Sequence, residues 1–210
     1  QPLGDDFTTW DLPRLYREID LHFTNALADG RLKTIPTTDF ADLLTKPTLP
    51  EKYRPTLYDF IAHEALGFYT SGEFAAAKPE DAFEVRASDP LLGPLDKFLA
   101  WVPETTDTES PQFKAVRLYQ DVLRFHLDDA DSSALIDGDI LRLLHGKRIA
   151  TGNGANDRFV EAMQSLVERE SGPLSAWARY HWAQTLNADG DSVEARRVAI
   201  AGRDAFPESR

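Results

Sequence analysis

Cysteine is absent from all 210 residues. That excludes disulfides, thiolate metal sites and cysteine nucleophiles together, and it leaves the redox compartment open. No apolar run approaches the roughly 18 residues of a membrane span. No basic amphipathic stretch suggests a membrane surface, so direct membrane insertion is not expected. Positive charge is in deficit: 23 basic against 35 acidic residues give a net charge of −12. A surface of that sign repels phosphate backbones, which argues against nucleic acid as a partner. Methionine occurs once, at Met163, and the chain opens on Gln1. It therefore reads as a mature or excised piece, which leaves room for an export signal removed from it.

Reactive motifs are equally scarce. There is no GxSxG elbow. Gly152-Asn153-Gly154 is followed by no Lys-Ser/Thr pair and preceded by no strand, so it is a loop and not a phosphate cradle. No cofactor is expected.

What remains is apolar enough to fold. Hydrophobic residues make up 42%, with 4 Trp and 12 Phe, a content that argues against disorder. A chain of this length holds one helical domain with a real core, or two small ones. Leu12, Leu15, Tyr16, Ile19, Phe23 and Leu27 recur at 3- and 4-residue steps and predict a helix over Thr9–Ala28. A short helix follows near Thr38–Thr45. Thr56 with Asp59 reads as a capping box opening a helix to Tyr69. That helix is greasy almost all round and so central to its bundle. Residues 71–90 are hard to read, with an extended piece at Ala82–Arg86. Pro94–Val102 returns to helix, and Pro103–Asp107 is a polar linker. Ser110-Pro111 opens the next helix. Asp131–Leu144 is a shorter one weakened by Gly138, and Asn156–Glu170 is amphipathic.

The last stretch is a helix pair, Leu174–Pro207, around the turn Asn187-Ala188-Asp189-Gly190. Small residues (Ala183, Ala195, Ala199, Gly202) stand where the helices would cross, and Pro207 ends the second. The tetratricopeptide unit has about 34 residues and a similar order of small, apolar and proline positions. The pattern predicts an all-α fold: an irregular helical bundle or α-solenoid, tetratricopeptide-like at its C-terminal end. Two sub-bundles are expected, 1–103 and 108–210. An open-ended stack needs a cap, so the natural protein is expected to continue past Arg210.

Few residues suggest chemistry. His63-Glu64 resembles the start of an HExxH zinc site, but Gly67 stands where the second His belongs. His126 could complete a His/carboxylate site, which gives a metal-dependent hydrolase as one reading of His63, Glu64 and His126. The more ordinary reading makes both histidines buried, hydrogen-bonded residues, and no metal site is assigned. Asp128, Asp129, Asp131, Asp137 and Asp139 form an acidic group without the glycine and terminal Glu of an EF-hand loop. It reads as a solvated helix end. Trp177, Tyr180, His181 and Trp182 crowd one helix and form a candidate binding face for a peptide.

Two stretches carry a resemblance: RPTLYDFIAHEALGFY (Arg54–Tyr69) and LYQDVLRFHLDDADSSALIDGDILRL (Leu118–Leu143). Together they resemble the helical N-terminal region of large bacterial alpha-2-macroglobulin-like proteins. The resemblance implies an exported, periplasmic or cell-envelope protein of a protease-trapping family, in which this piece precedes β-sandwich domains. The thioester of that family needs a Cys, so its chemistry would lie elsewhere. The expected role is a non-catalytic scaffold or interaction module whose partners are neighbouring domains of the same longer chain. The alternative is a stand-alone helical-repeat adaptor for protein or peptide partners.

Overall fold

The computed structural model describes residues 7–43, 51–71 and 81–208. The described residues are helical, with no β-strand among them; only isolated bridges join Pro36 to Thr56 and Arg86 to Thr151. The fold is all-α, as the periodicity predicts. No helix among the described residues is long and apolar enough to cross a membrane. The chain divides into two compact units, Gln1–Asp81 and Ala82–Arg210.

The first unit is built on two helices, α1 (Leu12–Leu27) and α2 (Leu57–Thr70). Asp11 caps α1 by accepting from the Arg14 amide at 2.9 Å, so the helix starts three residues later than its apolar pattern suggests. The pattern also places Leu12 in the core, yet it is 56% exposed. The expected capping box of α2 is present. The Thr56 amide donates to Asp59 Oδ2 at 2.9 Å, and the Asp59 amide donates to Thr56 Oγ1 at 3.3 Å. Ahead of it, the Thr37 amide donates to the Pro55 carbonyl and the Leu57 amide to that of Ile35. The loop is thus tied to the start of α2. Tyr58, Ala62, Ala65, Leu66 and Tyr69 of α2 are buried. Phe68 meets the rings of Tyr16 and Phe23 on α1, and the Tyr69 hydroxyl donates to Asp20 at 2.7 Å. Of the predicted short helix at 38–45, a 3-10 turn at Thr37–Phe40 forms; positions 44 and 45 lie outside the described residues.

The second unit holds α3 (Leu95–Ala100), α4 (Pro111–Phe125), α5 (Ser133–Ile149), α6 (Ala155–Arg169), α7 (Pro173–Ala188) and α8 (Ser192–Ala205). The polar linker Pro103–Asp107 was expected to separate two sub-bundles. It lies inside this unit, where Asp107 accepts from the Phe83 amide at 3.1 Å. The reason is long-range pairing that composition does not show. Residues 82–86 lead into a bridge at Arg86, and Val85 and Ala87 on either side of it exchange backbone hydrogen bonds with Thr151 in the loop between α5 and α6.

Helix α5 is the centre of this unit, and it runs longer than expected. Its glycines allow close approach; they do not break it. A Cβ at Gly138 would lie 3.2 Å from Leu123 on α4. One at Gly146 would lie 2.9 Å from Leu92 and 3.1 Å from Leu91, both almost fully buried. Between α5 and α6, Gly152 and Gly154 take φ of 89° and 84°, values that suit glycine. At the end of the chain, α7 and α8 form the expected helix–turn–helix pair. Gly202 faces Arg179 and the Ala176 carbonyl across the crossing, with Ala183 and Ala195 buried. Ala199, expected at the crossing, is exposed.

Gly146→Val forces a branched side chain into the Leu91–Leu92 contact. It is expected to cost about 2–3 kcal/mol, read as a lowered urea midpoint with an unchanged m-value.

Candidate functional site

The four predicted binding-face residues of α7 separate into two groups. Trp177 and His181 are half-buried and Tyr180 is 53% exposed. Their rings form a row: His181 meets Trp177 at 5.4 Å and Tyr180 at 5.1 Å, both edge-on. Gln184 extends the row by donating to the Tyr180 hydroxyl at 2.7 Å. Trp182 is drawn into the core instead, at 8% exposure. The helical period explains the split: positions 177, 181 and 184 share one stripe, while 178, 182 and 185 share the buried one. Beneath the row, Lys147 of α5 donates to Thr185 Oγ1 at 2.7 Å and lies over the Phe159 ring of α6 at 5.0 Å. Burial lowers the pKa of Lys147 and also that of His181.

The candidate hydrolase residues are not arranged as a metal centre. His63 is buried on α2, while the next residue, Glu64, is exposed. His126 is 2% exposed, and its Nδ1 donates to Asp129 at 2.6 Å. Among the described residues, no three His, Asp or Glu side chains are grouped so as to hold an ion. The acidic group also splits. Asp128, Asp129 and Asp131 are exposed, but Asp137 and Asp139 are buried within α5. The reading of all five as a solvated helix end thus fails for the last two. Just ahead of α5, Asp131 accepts from the Ser133 amide at 2.8 Å, while the N-cap residue Ser132 makes no side-chain capping bond.

A feature that sequence reasoning did not anticipate lies between α3, α5 and α6. It is an open groove of about 680 Å³, floored by Leu95, Leu99, Leu127 and Leu143. Leu127, just past α4, is 46% exposed there. One wall is the segment Ser88–Trp101, which has little regular structure of its own. Side chains from other helices satisfy its carbonyls. Arg142 of α5 donates to Leu91 at 2.6 Å and Gly93 at 3.0 Å. Gln120 of α4 donates to Phe98 at 2.8 Å and Trp101 at 2.7 Å. Arg124 reaches Leu99 at 2.6 Å, and Arg158 of α6 reaches Ser88 at 3.1 Å. Arg142 is 1% exposed. It is compensated by Asp139, one turn away, through contacts of 2.7 and 2.6 Å, and its guanidinium lies 4.8 Å from the Phe98 ring. A buried charge with every direction answered is tolerable; an unanswered one is not. The arginine and glutamine could be named from sequence, but nothing local marks them as buried.

His145 lies three residues after Arg142 on α5, 5% exposed, its ring 5.6 Å from that of Tyr119. Arginine can only donate, so the 3.3 Å contact from Arg148 makes His145 Nδ1 an acceptor and places the proton of the neutral ring on Nε2. Burial, and then the Arg148 charge, push its pKa down to about 4.

No protein-family model, no curated protein and no solved structure matches the chain. The site has therefore to be read from its own geometry.

Two measurements test this account. Arg142→Met leaves Asp139 buried without its partner and frees two carbonyls. It is expected to cost about 3–5 kcal/mol in chemical denaturation, whereas the Arg142→Met/Asp139→Leu double variant is expected to recover part of that loss. For His145, the folded pKa lies below the unfolded value of about 6.5, so the unfolded state binds more protons between the two. Stability is then expected to fall as pH drops from about 6.5 to about 4, by up to a few kcal/mol. The fall should flatten in His145→Phe; an equal acid loss in that variant would contradict the assignment.

Proposed function

We propose that this chain is a non-catalytic helical interaction module, and that its second unit docks a polypeptide segment of a partner in the groove between α3, α5 and α6. The observation that supports this most directly is the groove itself. It has an apolar floor of four leucines, one of them half exposed to solvent, with a wall whose backbone is held by side chains from three helices. Open apolar floors with a few fixed polar groups at the rim suit a helix laid into a groove. The polar groups along the wall are committed to structure, which suits binding better than chemistry. The larger setting, an exported alpha-2-macroglobulin-like protein in the cell envelope, belongs to this proposal too. It rests on the helix-face patterns of Arg54–Tyr69 and Leu118–Leu143 alone.

A second reading puts the partner on the aromatic row of α7, in the manner of a repeat adaptor. Tyr180, exposed at the centre of that row, favours it.

One experiment separates the two. Binders are selected from a random-peptide display library and measured against Leu127→Asp and Tyr180→Ala, both at exposed positions. The groove predicts at least about a tenfold loss, ~1.4 kcal/mol, on Leu127→Asp with an unchanged urea midpoint and little change on Tyr180→Ala. The opposite pattern would move the site to α7. A library that yields no specific binder would count against both.

A further inference from the structure

The groove also indicates the charge order of what it holds. Arg158 and Arg169 stand on the α6 side of its lining, eleven residues apart, which on a helix is about 16 Å. Arg158 spends Nη1 on the Ser88 carbonyl, and its Nη2 lies 3.6 Å from the position a Cβ would take at Gly93, at one end of the floor. Arg169 spends Nε on the Ser165 carbonyl and is otherwise exposed. Among the described residues, neither guanidinium meets a carboxylate, although the chain has 35 acidic residues to 23 basic ones. Between the two lies Glu161, exposed, on the same lining. The α6 rim therefore reads positive, negative, positive over three turns. The buried Asp139–Arg142 pair adds no net charge to the floor, and exposed Asp96 on the α3 side of the lining lies 3.8 Å from the Lys97 ammonium.

Resting on the groove reading above, we infer that the partner is an amphipathic helical protein segment of complementary order: an apolar stripe on the leucine floor, carboxylates about three turns apart facing Arg158 and Arg169, and a basic residue between them facing Glu161. A single-headed lipid would engage one guanidinium and leave the other unanswered. A base-flanked peptide would place like charges opposite both arginines, and such juxtapositions are what interfaces use to reject wrong partners.

The test uses the full chain and two fluorescein-labelled peptides of about 18 residues, some five turns. Both carry leucines at i, i+3, i+4, i+7 and onward. One has Glu toward both ends and Lys at the middle; the other has these charges exchanged. Affinities are read by fluorescence anisotropy. The acid-flanked peptide is expected to bind at least about tenfold tighter, and added salt should shrink the ratio. In Arg158→Glu/Arg169→Glu the preference should invert, and in Arg158→Gln/Arg169→Gln it should shrink to the part that Glu161 alone contributes. The milder variant keeps the test open if the charge swap disturbs the Ser88 contact, and circular dichroism melts report folding of each. Equal binding of both peptides, or a preference that ignores the charge swap, would overturn the charge order while leaving the groove. Failure of both peptides to bind, or binding unaffected by Leu127→Asp, would remove the groove reading as well. Displacement of bound peptide by dodecanoate, or a dimer of the chain alone that Leu127→Asp dissociates, would name a different occupant and overturn the inference.

Discussion

The second unit depends on one kind of interaction: side-chain donors that answer the carbonyls of a segment unable to satisfy itself. Ser88–Trp101 is a 3-10 turn and a six-residue helix, too short to close its own hydrogen bonds. Buried carbonyls without donors would cost about 1–3 kcal/mol each. Arg142, Gln120, Arg124 and Arg158 supply the donors from α5, α4 and α6. Arg142 is the most committed of them. Its burial is possible only because Asp139 sits one turn earlier on the same helix, so that α5 brings charge and countercharge into the core together. The position of the wall, and hence the existence of the groove, follows from these contacts.

The same logic explains why α5 carries glycines. For Arg142 to reach the Leu91 and Gly93 carbonyls, the turn at 90–92 has to lie almost on the helix backbone, and Gly146 leaves the space for Leu91 and Leu92. His145, beside it, is neutral because the space around it is already filled by Tyr119 and Arg148. Polar and small residues in α5 are thus parts of one packing arrangement. A hydropathy profile scores them as weaknesses in a helix.

Helix type and most boundaries were legible in the chain. Thr56 and Asp59 announce the capping box of α2, and Gly190 and Pro207 frame the α7–α8 pair. What was not legible is whatever depends on distance in sequence. Thr151 pairs with residues 85 and 87, and Gln120 reaches 98 and 101. No local pattern signals either contact, so Pro103–Asp107 looked like a boundary. The acidic group at 128–139 misled for a related reason. A buried aspartate paired with an arginine three residues on looks, letter by letter, like an exposed one. The aromatic crowd on α7 was half readable. The helical period separates Trp182 from Trp177 and His181, but only packing decides which of the two stripes turns inward.

The close approach at Gly146 bears on how fast and how tightly such a groove can work. With Leu91 and Leu92 pressed against the α5 backbone and the Arg142 and Gln120 side chains on its carbonyls, the Ser88–Trp101 wall cannot swing without breaking buried contacts. In the docking role proposed above, the groove would meet its partner already shaped for it. The entropy of ordering would then fall on the incoming segment, and differences among rival ligands would be expressed in how long each stays.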